Sequence, residues 1–119
     1  MKRPEEALQR AVVTLLRAVC GPDVWWCAIP NGGYRTKAEA GIMVAMGQRA
    51  GAPDLLLVHA GRATFIELKA AKGDLSTAQK TTHPAIRAAG CPVYVCRSLD
   101  DVIAALHEAE VPTRARAAA

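Results

Sequence analysis

Asp54, Glu67 and Lys69 are the residues whose types and spacing could do chemistry. Leu55 to Val58 and Ala63 to Leu68 are apolar runs separated by His59-Ala60-Gly61-Arg62, the pattern of a β-hairpin with a tight turn. A connection centred on Ala60-Gly61 sets Asp54 directly opposite Glu67. Facing residues in an antiparallel pair project to one side with Cα atoms about 4.5 to 5.5 Å apart, close enough for both side chains to hold one cation. Glu67 and Lys69 are two apart on the second strand and share that side, while Ile66 and Leu68 point the other way, into the core. A three-residue loop or a bulge would shift the pairing by one position and disperse the cluster.

Two adjacent carboxylates without a cation repel, and one takes up a proton, so the pair makes physical sense as a site for a hard divalent ion such as Mg²⁺ or Mn²⁺. Such an ion lowers the pKa of a bound water and polarises a phosphoryl oxygen, and a neighbouring lysine steadies hydroxide or developing charge. The combination suits phosphodiester hydrolysis. Taken alone, Glu67-x-Lys69 is more often a surface ion pair on an edge strand, and the surrounding elements decide between the two.

Leu8, Val12, Leu15, Leu16 and Val19 form one stripe of an amphipathic helix from Glu5 to Val19, ended by Cys20-Gly21-Pro22. Val24 to Ile29 reads as a strand running into the glycine-rich loop Pro30-Asn31-Gly32-Gly33. Thr36-x-x-Glu39 offers a capping box for a short helix to about Met46, and Ser76-x-x-Gln79 another for a helix to about Ala89. Val93 to Cys96 reads as a buried strand, and Ser98-x-x-Asp101 opens a last helix. The order αβ(α)ββαβα, with no internal repeat, predicts an α/β fold: a small mixed sheet flanked by helices. Residues 1–111 form one domain in this reading, and 112–119 a basic, disordered tail.

Fifteen Lys and Arg against 11 Asp and Glu leave a net charge of +4, which weights nucleic acid above membrane or acidic peptide as a partner. Hydrophobic residues make up 51% of the 119 but aromatics only 4%, so the core is built from small aliphatic side chains. No apolar run approaches the roughly 20 residues that cross a bilayer, and Met1-Lys2-Arg3-Pro4 opens directly on a charged helix pattern. Secreted and membrane readings drop out, and a cytoplasmic location is expected. Cys20, Cys27, Cys91 and Cys96 show neither a C-x-x-C pair nor zinc spacing and read as reduced core residues. Trp25 and Trp26, adjacent in a strand, point to opposite faces, so at most one is core; the other covers a dimer contact or stacks on an unpaired base.

Gly51-Ala52-Pro53-Asp54, Leu55 to Val58 and Phe65-Ile66-Glu67-Leu68-Lys69 together resemble the PD-(D/E)XK nuclease signature. The likeness extends to Asn31-Gly32-Gly33-x-Arg35-x-Lys37-Ala38-x-Ala40, Gly47, Ser76-x-x-Gln79-Lys80, Gly90-Cys91-Pro92-Val93 and Arg97-Ser98. In this combination, over roughly residues 5 to 108, the chain is similar to the stand-alone VRR-NUC family found in phages and bacteria.

The resemblance implies a restriction-endonuclease-like fold and a metal-dependent DNA endonuclease. It also implies relatives that act on branched DNA, such as four-way junctions, as homodimers. By position it makes Asp54 and Glu67 metal ligands together with the backbone carbonyl of Leu68, and Lys69 the catalytic lysine. Gln79 joins the active-site motif, orienting lysine, water or phosphate, or else serves as a capping-box residue folding back on Ser76; both can hold. A glutamate of the first helix often completes such sites, and Glu5 is favoured over Glu6. Asn31, Gly32, Arg35, Lys37, Arg49 and Lys80 are the candidate DNA-binding residues, with ordinary solvation as the alternative for the charged ones.

His83-Pro84 falls inside the helix after Gln79, where proline lacks the N–H of the helical ladder, so a kink or restart is expected there. His59 and His83 read as exposed loop histidines, not as bases. No recognition-helix or zinc-finger pattern reads base edges, which favours recognition of DNA shape over sequence. The rival from another class is a nucleic-acid-binding module that does not cut, serving a larger DNA-processing assembly. A small ligand-binding regulator lacks any G-x-G-x-x-G or G-x-x-x-x-G-K-[ST] motif.

Overall fold

In a computed structural model of the chain, describing residues 3–30 and 36–114, the elements follow the expected order: α1 (Arg3–Val19), β1 (Trp25–Ala28), α2 (Lys37–Ala45), β2 (Leu55–His59), β3 (Arg62–Leu68), α3 (Thr77–Ala88), β4 (Val93–Cys96) and α4 (Leu99–Glu108). The sheet runs β1-β2-β3-β4, with β1, β2 and β3 antiparallel in succession and β4 parallel to β3. The β3-α3-β4 crossover is what makes the sheet mixed. Among the described residues no helix is long and apolar enough to cross a membrane.

The hairpin closes as its sequence requires. Leu55 pairs with Ile66 and His59 with Arg62, so the connection is the two residues Ala60 and Gly61, both with positive φ (53° and 77°). Two successive left-handed residues match the twist of the flanking strands, and glycine meets that demand without strain. The pairing that sets Asp54 opposite Glu67 is therefore the one adopted.

Alternation along the strands separates two faces. Leu55, Leu57, Ile66 and Leu68 are buried with Val12, Leu15, Leu16 and Val19 of α1 and Val102, Ala105 and Leu106 of α4. Trp26 packs against this core while Trp25 is 61% exposed, the division that adjacency on a strand dictates. Cys20 and Cys96 are buried and Cys27 and Cys91 half-buried, all four as free thiols. Burial pushes the Cys96 thiol up to about 12, so it stays protonated and inert.

The helix starts are set locally. Thr36 and Glu39 form a reciprocal capping box on α2, Ser76 and Gln79 another on α3, and the Ser98 hydroxyl accepts from the Asp101 N–H on α4. Within the segment expected to be a tail, residues 112–114 are described. Arg114 donates its backbone N–H to the Val19 carbonyl at 2.7 Å, and its guanidinium reaches the Ala18 and Cys20 carbonyls. That cation caps the C-terminal end of α1.

Candidate active site

Asp54 stands at the entry to β2, after the buried Pro53. Its carbonyl accepts from the Ile29 N–H at 2.8 Å, which extends the β1 ladder. Its Oδ2 accepts from the Leu68 N–H at 2.7 Å, so the carboxylate is tied across to the end of β3. Glu67, one residue earlier on β3, is 2% exposed and Lys69, just past the strand, 6%. The Lys69 backbone donates to the Cys96 carbonyl at 3.0 Å, continuing the parallel pairing with β4. Asp54, Glu67 and Lys69 are thus fixed by backbone hydrogen bonding at one end of the sheet.

Burial, then the hydrogen bond and negative charge of Asp54, push the Glu67 carboxyl up to about 9; Lys69 opposes and Glu5 adds to the effect. With no cation between them the pair holds a proton at neutral pH, the state expected of two carboxylates that cannot both ionise. Their oxygens, with the Leu68 carbonyl, are hard donors that fit Mg²⁺ or Mn²⁺. Among the described residues no group of three or more His, Cys, Asp and Glu side chains forms a ready metal cluster. Glu5 and Glu6 both line a groove with Asp54; Glu6 pairs with Arg10 at 3.0 Å, whereas Glu5 lies near enough to Glu67 to raise its pKa.

Gln79 does both things its sequence position allows. Its Oε1 accepts from the Ser76 N–H at 2.8 Å while its Nε2 donates to Glu67 Oε2 at 3.1 Å. Capping and site are served by opposite ends of one amide.

His83 corrects the sequence reading. It is not an exposed loop histidine: α3 runs from Thr77 through Pro84 to Ala88 without restarting, and His83 is 1% exposed with Nε2 3.0 Å from Glu67 Oε1. Its Nδ1 has no partner. Burial, with the charges of Arg87 and Lys69, lowers its pKa and keeps the ring neutral. A signal was available: Gln79 and His83 are four apart and must share a helix face. The proline rule hid it. Pro84 and Lys80, the residue whose helical bond proline omits, are both exposed.

Two further contacts hold these parts in place. Gly51 has φ +80° and lies so close to α3 that an added Cβ would be 2.4 Å from the Ala78 carbonyl oxygen; next to it the Thr82 hydroxyl donates to the Ala50 carbonyl at 2.7 Å. The turn before Asp54 is thereby seated on the start of α3. Arg97 donates to the Ala70 and Gly73 carbonyls at 2.8 and 2.6 Å, fixing the turn that follows Lys69. No local pattern announces that clamp, because its partners are 27 and 24 residues away.

A groove of about 610 Å³ runs along α1 past Glu5, Arg10, Thr14 and Arg17 to Asp54 and Leu68. Arg10 and Arg17, seven apart on one helix face, are cations the sequence reading did not single out. Of the candidate DNA-binding residues, Lys37, Arg49 and Lys80 are exposed, and Asn31, Gly32 and Arg35 lie outside the described residues. His59 ends β2 half-buried, 3.7 Å from Asp23, at the turn end of the hairpin and away from the site.

The profile of the VRR-NUC domain matches residues 5–100. No curated protein matches the chain. Solved structures similar to it include two that are each 24% identical over 88% of this chain. A VRR_NUC domain protein superposes with a TM-score of 0.70 over 86% of its own length, and a VRR_NUC domain with 0.60 over 95%. At that identity the superpositions speak for the fold, and the match over most of the sequence speaks for descent: the chain belongs to the VRR-NUC domain family, a nuclease-type family.

Proposed function

We propose that the protein is a Mg²⁺- or Mn²⁺-dependent DNA endonuclease, selective for branched DNA such as four-way junctions and active as a homodimer. The observation that supports it most is the half-buried Asp54 set against the buried Glu67 with the buried Lys69 beside them, a cluster stable as two carboxylates only around a cation. Asp54, Glu67 and the Leu68 carbonyl would hold the ion, which supplies an activated water and a polarised phosphoryl oxygen. Lys69, whose charge acts on Glu67, would stabilise hydroxide and the charge that builds on phosphate. The groove along α1 carries Arg10 and Arg17 toward Asp54, and Lys37, Arg49 and Lys80 add exposed positive charge for backbone phosphates.

The homodimer rests on α2. None of its residues is buried, and Ile42, Val44 and, just after it, Met46 are 58%, 66% and 77% exposed. An apolar helix left in water fits a contact with a second copy, and cleavage of a symmetric junction needs two sites at a fixed spacing.

The test is cleavage of a labelled four-way junction and a matched linear duplex with Mg²⁺, Mn²⁺ or EDTA, by the wild type, Glu67→Gln and Lys69→Ala. Metal-dependent cutting absent in both variants supports the assignment, and the junction-to-duplex ratio tests selectivity. Salt-sensitive binding without cutting in either metal would instead favour a non-catalytic nucleic-acid-binding module. A monomer in sedimentation, free and on DNA, would remove the dimer.

A further inference from the structure

We propose that His83 is a positioning residue for Glu67, holding one carboxylate oxygen so that the pair with Asp54 presents a preformed cation site; this rests on the metal-dependent reading above. Glu67 is gripped from α3 at both oxygens, Oε2 by the Gln79 amide and Oε1 by His83 Nε2. Each oxygen of a carboxylate has two lone pairs, so two such donors still leave acceptor capacity for a cation. They restrict the rotation of a side chain that would otherwise pay the ordering cost when the ion arrives.

Three observations set His83 apart from an ordinary core histidine. Its ring is sealed, at 1% exposure, and so is its partner, at 2%. Its other nitrogen, Nδ1, is buried without any hydrogen bond, so the ring's whole polar capacity goes to Glu67. Leaving such an atom unpaired is unfavourable, a cost that a leucine of similar size would avoid. And the helix carries His83 into the site one turn after Gln79 despite Pro84, with Thr82 and Gly51 pinning the same turns to the segment before Asp54. In the tautomer with the proton on Nε2 and Nδ1 bare, which leaves no buried N–H unpaired, the ring is a fixed single donor to Glu67.

The experiment is Mn²⁺ binding to the full chain without DNA, followed by titration calorimetry and by the electron paramagnetic resonance of the free ion. Wild type, Glu67→Gln, His83→Leu and His83→Gln are compared. Groups that orient a metal ligand through a hydrogen bond typically contribute 10- to 100-fold in affinity. His83→Leu, which fills the volume without a donor, is therefore expected to bind Mn²⁺ about 10-fold or more weakly, and His83→Gln, which keeps an N–H, to recover much of the loss. A folded His83→Leu that binds as tightly as wild type overturns the proposal, since a merely structural histidine would change the melting temperature alone.

A measurement on the unaltered protein covers the case in which the variants do not fold. The ¹⁵N resonances of the His83 ring are expected to show a protonated Nε2 and a bare Nδ1, and to shift on addition of Mg²⁺; rings indifferent to Mg²⁺ at saturation overturn the proposal. Wild type that binds no Mn²⁺ at millimolar concentration removes the metal reading and this inference with it. Binding lost in Glu67→Gln but intact in His83→Leu removes the inference alone.

Discussion

Ile66 and Leu68 on one side of β3 are 0% and 2% exposed, and Glu67 and Lys69 on the other side 2% and 6%. Burial is the same; its sign is opposite. The apolar pair gains about 1.5 to 3 kcal/mol per side chain from leaving water. Glu67 is stable there because it has taken up a proton and each of its oxygens has a hydrogen-bond partner. One strand thus separates a core that stabilises the fold from a site that the fold must hold together. The polar side is held by seats with little slack: Gly51 against Ala78, Arg97 on the turn after Lys69, and the α3 amide and imidazole on Glu67.

The largest effect is expected on the apolar side. Leu106→Ala removes a fully buried side chain where α4 meets the core and should cost about 2 to 5 kcal/mol in urea unfolding, equally in Mg²⁺ and in EDTA. A cost that depends on the cation would show that the two faces are not independent.

Gly51→Ala attacks the boundary. A left-handed non-glycine residue costs about 1 to 3 kcal/mol before the approach to the Ala78 carbonyl is counted. Here the cost should come with weakened Mn²⁺ binding, because α3 must move and carries Gln79 and His83 with it. A variant as stable as wild type with unchanged Mn²⁺ affinity would mean that the turn is not what seats the helix.

The third test is the pH dependence of the metal-free chain. Glu67 rises from 4.5 unfolded to about 9 folded, so the folded state holds more protons and stability falls as pH rises between those values. His83, lowered from 6.5, contributes the opposite slope, but only below that value, and the raised Tyr94 and Cys96 act above about 9. From pH 6.5 to 9 the melting temperature is therefore expected to decline in EDTA, to be nearly flat in Glu67→Gln, and to decline less or rise in Mg²⁺. A decline that persists in Glu67→Gln would place the proton elsewhere.

What the sequence disclosed follows the range of the interactions involved. The Ala60-Gly61 turn is local, and a two-residue turn determines the facing pairs, so the opposition of Asp54 and Glu67 was readable from residue numbers. The capping boxes at Thr36 and Ser76 are three-residue relations and were equally plain. His83 was misread because a rule about backbone donors was applied to Pro84 without weighing what the preceding side chain gains in the site. Nor could the sequence show that α2, whose capped pattern is that of any short helix, would bury none of its residues. The Arg97 clamp depends on how β4 is laid beside β3, which no local pattern records.

The Gln79 amide, with one end on the Ser76 N–H and the other on Glu67, also links the site to fraying of α3. The first turn of a helix opens more readily than its middle, and here it cannot open without releasing a carboxylate of the site. The converse holds as well: a cation that immobilises Glu67 removes motion from the helix start. Slower exchange of the Ser76 and Gln79 amide hydrogens in Mg²⁺ than in EDTA, with Leu106 of α4 unchanged, is the expected signature. The opening of α3 and the occupancy of the site are then two readings of one equilibrium.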